Sequence, residues 1–460
     1  MKNSILYITI LLLFIAGITA CRVTQPYHEP QGIASDNLYR DMNPKDTATI
    51  ANIPWQQMFT DTLLQALINE GIANNNDLKV AVARIKSADA GFAQSKAAFF
   101  PSLDANIGTT VQKVTSAQIG RSPIFEGYLS SSWQADIWGK LQSSRRAALA
   151  SLLQSEAYRR AVQTQLIANI ATDYYALMAY DAELQVTLKT VENRKQDVET
   201  MKVLKASDVV TGAAVVQSEA NRYSAEVTIP DIRQNIRETE NSISLLIGRS
   251  PGSIQRDSLS KEPVMTNLQT GVPSQLLANR PDVQEAEYQL RNAFELVNVA
   301  RTYFYPALSI TAEGGIYNTS VANLFSAGSF FGNIIGGLTQ PIFNNGLNKQ
   351  RLKVAQAQQE EYLASFKQTL LTAGQEVSNA LFQYQAAQDK IAIRTQQINY
   401  LQKSVEYTKE LLKYTASTNY TDVLTSEQSL LASQLSSVSD KLQQLQAVVN
   451  LYSSLGGGWK

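Results

Sequence analysis

The chain has 460 residues, and its 40 lysines and arginines balance 40 aspartates and glutamates, so no net field draws it to nucleic acid. One histidine, His28, and one cysteine, Cys21, both lie within the first thirty residues. That excludes a His/Cys metal cluster, a disulfide framework and nucleophile–histidine catalysis in the body of the chain, and no cofactor is expected.

At the N-terminus Lys2 precedes a nearly unbroken apolar run from Ile5 to Ile18, followed by small residues before Cys21. A basic start, a short apolar run and a cut site describe a secretory signal over residues 1–20, because the run is too short for a comfortable membrane span. Cleavage would make Cys21 the first residue, an arrangement that resembles a bacterial lipoprotein box and implies acylation there; an incidental cysteine is the alternative. Arg22 follows it, and inner-membrane retention is not indicated. Residues 21–55, with Pro26, Pro30, Pro44 and Pro54, read as an extended, lipid-anchored tether.

From there the chain says nearly everything twice. Asn76-Asp77-Leu78, Ala81, Ala88 and Phe99-Phe100-Pro101 return 205 residues later as Pro281-Asp282-Val283, Ala286, Ala293 and Phe304-Tyr305-Pro306. The offset grows to 207 after Asn344-Asn345 and to 208 where Ser218-Glu219 matches Ser426-Glu427. A repeat of this length points to duplication of one large unit, with a first copy at 56–248, a connector at 249–275 and a second copy at 276–459.

Within each copy a segment of period two comes first. Phe125, Gly127, Leu129, Ser131, Trp133, Ala135 and Ile137 face one way, and Glu126, Tyr128, Ser130, Ser132, Gln134 and Asp136 the other. Strand pairs are therefore expected at about 102–113 with 125–138, and at about 307–317 with 330–343. Four strands of membrane-spanning length cannot close a barrel, and an open sheet in lipid would leave unpaired edges. Several chains would have to share one barrel; a soluble hairpin pair packed on helices is the competing reading. The aromatic residues near the strand ends fit an interfacial girdle or a core.

A long helical hairpin follows each strand pair, at about 140–247 and 346–455. Lys140 to Thr211 contains neither glycine nor proline, and Leu347 to Leu455 contains only Gly374. Ile170, Leu177, Leu184, Val191 and Val198 keep a seven-residue period, as do Val377, Tyr384, Ile391, Ile398, Val405 and Leu412, which implies left-handed supercoiling on partner helices. Pro230 should kink the first returning helix, and Gly248 and Gly456-Gly457-Gly458 are stop signals.

Leu276 to Val283, containing Arg280, Pro281 and Asp282, with Ala286-Glu287 after it, resembles the mid-chain signature of TolC-type outer-membrane efflux proteins. Leu455-Gly456-Gly457-Gly458-Trp459 is similar to the C-terminal signature of their lipoprotein branch, which works with resistance-nodulation-division pumps. The resemblance covers about 54–459. It implies a mainly α fold with membrane β: a homotrimer whose three chains give four strands each to a 12-stranded barrel, continued by a long α-helical coiled-coil barrel in the periplasm. It also implies an exit duct in the outer-membrane lipid, joined to an inner-membrane pump by a periplasmic adaptor that meets its hairpin tips, which here hold Ser207, Asp208 and Gly212, and Ala416, Ser417 and Asn419. Asp422 matches a position where an aspartate can ring the entrance; a helix-start role is the alternative. Ala416 stands where the family commonly has glycine, and Thr425 where some members place a second acid. A lipid-anchored periplasmic scaffold without a pore is the alternative function, and catalysis has no supporting constellation.

Overall fold

The computed structural model describes residues 23–30, 38, 40, 48–112, 122–264, 268, 270–271, 275–414 and 420–460. The signal segment, Cys21, Ala416, Ser417 and Asn419 lie outside the described residues. In chain order the elements are α1 (Trp55–Met58), α2 (Thr62–Asn74), α3 (Asn76–Ala97), β1 (Ser102–Gln112), β2 (Ser122–Ala135), α4 (Lys140–Ala206), α5 (Gly212–Glu226) and α6 (Thr228–Leu246). The second half has α7 (Gln275–Asn279), α8 (Pro281–Thr302), β3 (Ala307–Asn318), β4 (Phe330–Thr339), α9 (Leu347–Tyr414) and α10 (Tyr420–Ser454), with short 3-10 turns between.

The chain divides into two compact units, and neither coincides with a repeat. Unit 1 comprises 1–31, 84–156 and 285–367; unit 2 comprises 32–83, 157–284 and 368–460. Each unit thus takes corresponding segments from both copies, because neither copy alone can bury its apolar surface.

In unit 1 the four strands form one antiparallel sheet in the order β1-β2-β3-β4. The central pairing crosses the repeat, with Phe125 opposite Asn318 and Ala135 opposite Leu308. Below the sheet, Val297 and Ala300 of α8 pack on Ala355 and Leu352 of α9. Arg146 of α4 holds Glu295 in a two-point ion pair at 2.7 and 2.9 Å, and Asn292 donates to the Ala147 carbonyl at 2.8 Å. Of the segment expected as a tether, Gln25 and Tyr27 lie against α8: the Gln25 N–H donates to Asn298 Oδ1 at 3.0 Å, Asn298 Nδ2 returns a bond to the Gln25 carbonyl, and Tyr27 meets the Phe294 ring edge-on at 5.5 Å.

Unit 2 holds most of the hairpins, with α4 from Ala157 onward and α9 from Gln368 onward. The first heptad seam is fully used: Ile170, Leu177, Val191 and Val198 are buried, and Leu184 packs on Val191, Ala225 and Ile229. In the second seam Val377 and Tyr384 are buried, whereas Ile391, Ile398, Val405 and Leu412 are only half-buried within one chain. The break near Pro230 falls earlier than the proline itself. A proline clashes with the carbonyl four residues before it, here that of Glu226, and Glu226 is the last residue of α5. Gly374, alone in the 68 residues of α9, has a plain cause: a Cβ there would come within 2.4 Å of the Leu38 carbonyl oxygen, so only glycine lets the N-terminal segment pass.

Three strand ends differ from expectation: β2 begins at Ser122 instead of 125, and two strands end early. β2 stops at Ala135 because Asp136 turns to cap α4, accepting the N–H groups of Leu141 at 3.0 Å and Gln142 at 2.8 Å. Asp136 is therefore a capping residue and not a strand residue of the polar face. β4 stops at Thr339, two residues before Pro341, which has no N–H for the ladder. The extra pair Asn344-Asn345 then makes a wider turn, with Asn345 and Gly346 both at positive φ, where the first copy uses Gly139 alone.

Candidate channel wall and hairpin ends

Strand register sorts the side chains of the sheet cleanly. Leu103 pairs with Ser131 and Ile107 with Gly127; Trp133 pairs with Ile310 and Gly127 with Ile316; Leu308 pairs with Leu338 and Ala312 with Ile334. Partners across a ladder share a face, so the apolar or small residues of all four strands line up on one side. Ile107 is 93% exposed and Ile334 79%. The opposite face is more polar: it carries Asp104, Glu126 and Glu313 beside an aromatic group of Tyr128, Tyr317 and Phe331 and the aliphatic Ile335, while none of the four strands contains a lysine or arginine. Among the described residues β1 pairs only with β2 and β4 only with β3, leaving two edges whose N–H and C=O groups need partners.

At the first hairpin end, the other candidate region, α4 ends in a Schellman motif: the Val209 N–H reaches the Leu204 carbonyl at 2.9 Å and the Asp208 N–H that of Lys205 at 3.0 Å. Ser207 Oγ bonds the Val203 carbonyl, and Gly212 opens α5. Asp208 takes the left-handed position, φ 56°, that glycine fills without strain. Asp208→Gly is accordingly expected to stabilise this hairpin end by about 0.5–1 kcal/mol, read as slower amide exchange at 203–212; faster exchange would contradict the assignment.

Behind these ends four helices share a core: Met201 of α4, Val215 of α5, Leu412 of α9, and Tyr420, Val423 and Leu424 of α10. Tyr420 donates its hydroxyl to Ser218 at 2.7 Å. Next to it Lys409 of α9 bridges Asp197 of α4 at 2.9 Å and Glu427 of α10 at 2.6 Å. Burial pushes the Glu427 carboxyl well above the ordinary glutamate range, and the charge of Asp197 adds to the rise against the pull of Lys409. The duplication already held half of this cluster. Lys202 and Glu219, the counterparts of Lys409 and Glu427, form a looser pair at 3.8 Å. Asp197, which corresponds to Ser404, was not singled out by any sequence pattern.

A family model described as outer membrane efflux protein matches residues 67–249 and 272–457. The chain belongs to this family. As an outer-membrane efflux protein, it is 27% identical over 470 residues to the probable efflux pump outer membrane protein TtgC of Pseudomonas putida, covering 100% of this chain and 96% of that protein. It is 28% identical to the probable outer membrane lipoprotein SilC of Salmonella typhimurium, covering 88% of each. Among solved structures, that of CusC, which forms a transmembrane channel, superposes with a TM-score of 0.85 at 25% identity over 95% of this chain and 100% of that one. An outer-membrane efflux protein gives cargo a way across that membrane, and among the described residues no helix is long and apolar enough to span one. The two-faced sheet is the element of this efflux protein suited to the task.

The two signatures of the efflux protein meet each other and build a clasp in unit 2. Arg280, 6% exposed, holds Asp282 at two points, reaches Glu376 at 2.6 Å and donates to the Ser454 carbonyl at 2.9 Å. Trp459 Nε1 donates to the Asn279 carbonyl at 2.9 Å, and Arg160 stacks over the Trp459 ring. Gly456, at φ 88°, lies so near Asn279 that a Cβ would come within 2.4 Å of its carbonyl oxygen, and Gly457 is packed on the Tyr452 ring, with Gly458 following at φ 101°. Pro281 starts α8, where its missing N–H costs no hydrogen bond. Glu287, on the same helix, has its pKa raised by burial and by Glu29. Asp422 lies in the first turn of α10, within the hairpin-end region.

Proposed function

We propose that this protein is the exit duct of a tripartite efflux system, passively conducting small molecules that an inner-membrane pump, of the resistance-nodulation-division type, expels through a periplasmic adaptor. One observation carries the reading: four strands align a continuous apolar face against an acidic polar face and leave both sheet edges open. Such a sheet is satisfied in lipid only by closure, and three chains joining β4 of one to β1 of the next give a 12-stranded barrel with water inside. The half-buried second heptad seam fits the same trimer, since neighbouring hairpins would cover it. Acyl chains on Cys21 hold the mature N-terminus in the outer membrane; the kinship with SilC, itself named a lipoprotein, supports this.

The adaptor meets the hairpin ends around Ser207, Asp208 and Gly212 and around Ala416, Ser417 and Asn419, and three Asp422 carboxylates ring the entrance. An acidic ring favours cations. Purified trimer in a planar bilayer is thus expected to conduct with a cation preference that falls about two- to fivefold in Asp422→Asn, while conductance persists. No conductance from the trimer, even with its ends loosened, would sink the duct; an unchanged cation preference would remove only the ring. No catalytic step belongs to this role.

A further inference from the structure

Unit 1 contains a cavity of about 400 Å³ at the foot of the sheet, where β2 leads into α4, α8 into β3, and β4 towards α9. Register fixes its side. Besides Ala135, the last residue of β2, the strand residues that line it are Gln134, Ala307 and Thr339; Ala307 pairs with Thr339, and Gln134 pairs with Ser309, two residues along the strand from Ala307. All three stand on the polar face, the water side of a membrane barrel, which excludes a lipid tail as the natural occupant.

Its walls are aromatic and its free charge is positive. Trp138 and Tyr305 stack at 5.0 Å with a tilt of 35°. Lys140 Nζ and the Arg351 guanidinium carbon lie 4.6 and 4.8 Å from the centre of the Tyr303 ring. Three of the other polar groups are already engaged: Asp136 by the α4 N–H groups, Trp138 Nε1 by the Pro306 carbonyl at 2.7 Å, and Asn348 Nδ2 by the Tyr303 carbonyl at 2.7 Å. Among the described residues no carboxylate forms an ion pair with Lys140 or Arg351. Two cations held beside one ring repel each other and outnumber the one carboxylate of the lining, that of Asp136, which is turned to the α4 N–H groups, while flat apolar surface stands next to them. A simple inorganic anion would leave that surface wet, and an organic cation would meet like charge.

We infer that this cavity is a waypoint for aromatic anions, arene carboxylates or sulfonates, whose ring lies on Tyr305 and Trp138 and whose charged group meets Arg351 and Lys140. The inference rests on the duct reading and names a class of cargo for it. A passage site must release what it takes, so affinity is weak, with a dissociation constant on the order of 0.1–1 mM.

The test titrates naphthalene-2-sulfonate into the full-length acylated protein in lipid nanodiscs by equilibrium dialysis, with empty nanodiscs as blank. Saturable binding in that range is expected, undisturbed by equimolar sulfate and stronger than that of a naphthylmethyl trimethylammonium salt. Arg351→Gln and Lys140→Gln should each weaken it about five- to tenfold, Arg351→Lys and Lys140→Arg should recover most of it, and Asn333→Gln, on the same face but higher on the sheet, should leave it unchanged. Absence of saturable binding, equal binding of the cation, displacement by equimolar sulfate, or indifference to both glutamine variants would overturn the site. Bilayer conductance of the same protein separates the two readings: a conducting protein that binds no arene sulfonate loses the waypoint alone, and a non-conducting one loses the duct.

Discussion

Ile334→Arg should abolish recovery of the protein as a membrane-inserted trimer, whereas Asn333→Arg, one residue earlier, should insert and assemble nearly as well as the parent. The two positions differ only in face. Ile334 pairs with Ala312 on the apolar side and is 79% exposed; Asn333 pairs with Glu313 on the polar side. An arginine facing lipid near the midplane costs about 2–4 kcal/mol per copy, so three copies cost roughly 6–12 kcal/mol. That rivals the whole stability of an ordinary domain, roughly 5–15 kcal/mol. On the water side the same arginine is solvated and stands beside Glu313. Outer-membrane fractionation with an unheated gel for the trimer band reads both outcomes. Normal insertion of Ile334→Arg would mean that this face does not meet lipid, and the soluble reading of the hairpins would return.

Lys409→Met is the second large expectation, and its size should depend on pH. The Asp197 and Glu427 side chains are 15% and 10% exposed and share Lys409, itself 34% exposed. Removing one partner of such a cluster leaves uncompensated buried charge, about 3–5 kcal/mol for a fully buried pair. Solvent reaches the lysine and screens part of that, so a loss of about 1–3 kcal/mol is expected near pH 8.

The sign with pH follows from the raised Glu427 pKa. The folded state binds this proton more readily than the unfolded chain, whose glutamates titrate near 4.5. The group's contribution is therefore greatest below that value and is lost as pH rises through the raised folded pKa. Without Lys409 the opposing pull is gone, the pKa rises further, and the variant loses more stability between pH 5 and pH 8 than the parent does. Glu427→Gln in the same background should remove most of this slope. Thermal melts followed by helical circular dichroism at the two pH values decide it: a pH-independent loss, or none, would show that the bridge does not hold the hairpin ends together.

Much of the fold was legible because it rests on local periodicity. Alternation over 125–135 gave the two faces of β2, and the seven-residue series placed Ile170, Leu177, Val191 and Val198 in the seam. Both signals survive folding because a strand and a helix each impose a fixed angle per residue. Asp136 was misread for the same reason: alternation runs on through it, whereas its carboxylate prefers the free N–H groups of the next helix. The signature residues stood out, yet their work did not, since the clasp of Arg280, Asn279 and Trp459 joins segments about 180 residues apart.

By itself the sequence determined the alternating strands and the uninterrupted helices, which are written in the spacing of neighbouring residues, and the duplication, which is written in a repeated order of residues; the kinship with outer-membrane efflux proteins showed as a resemblance of its two signature motifs. Only the tertiary structure decided that β2 pairs with β3 across the repeat, that each compact unit draws on both copies, and that Asp197 completes a bridge whose other two members were duplicated without it. It alone brought Lys140 and Arg351 to one tyrosine at the foot of the sheet. Spacing along a chain fixes direction within an element, whereas contacts between elements depend on how their buried faces fit together.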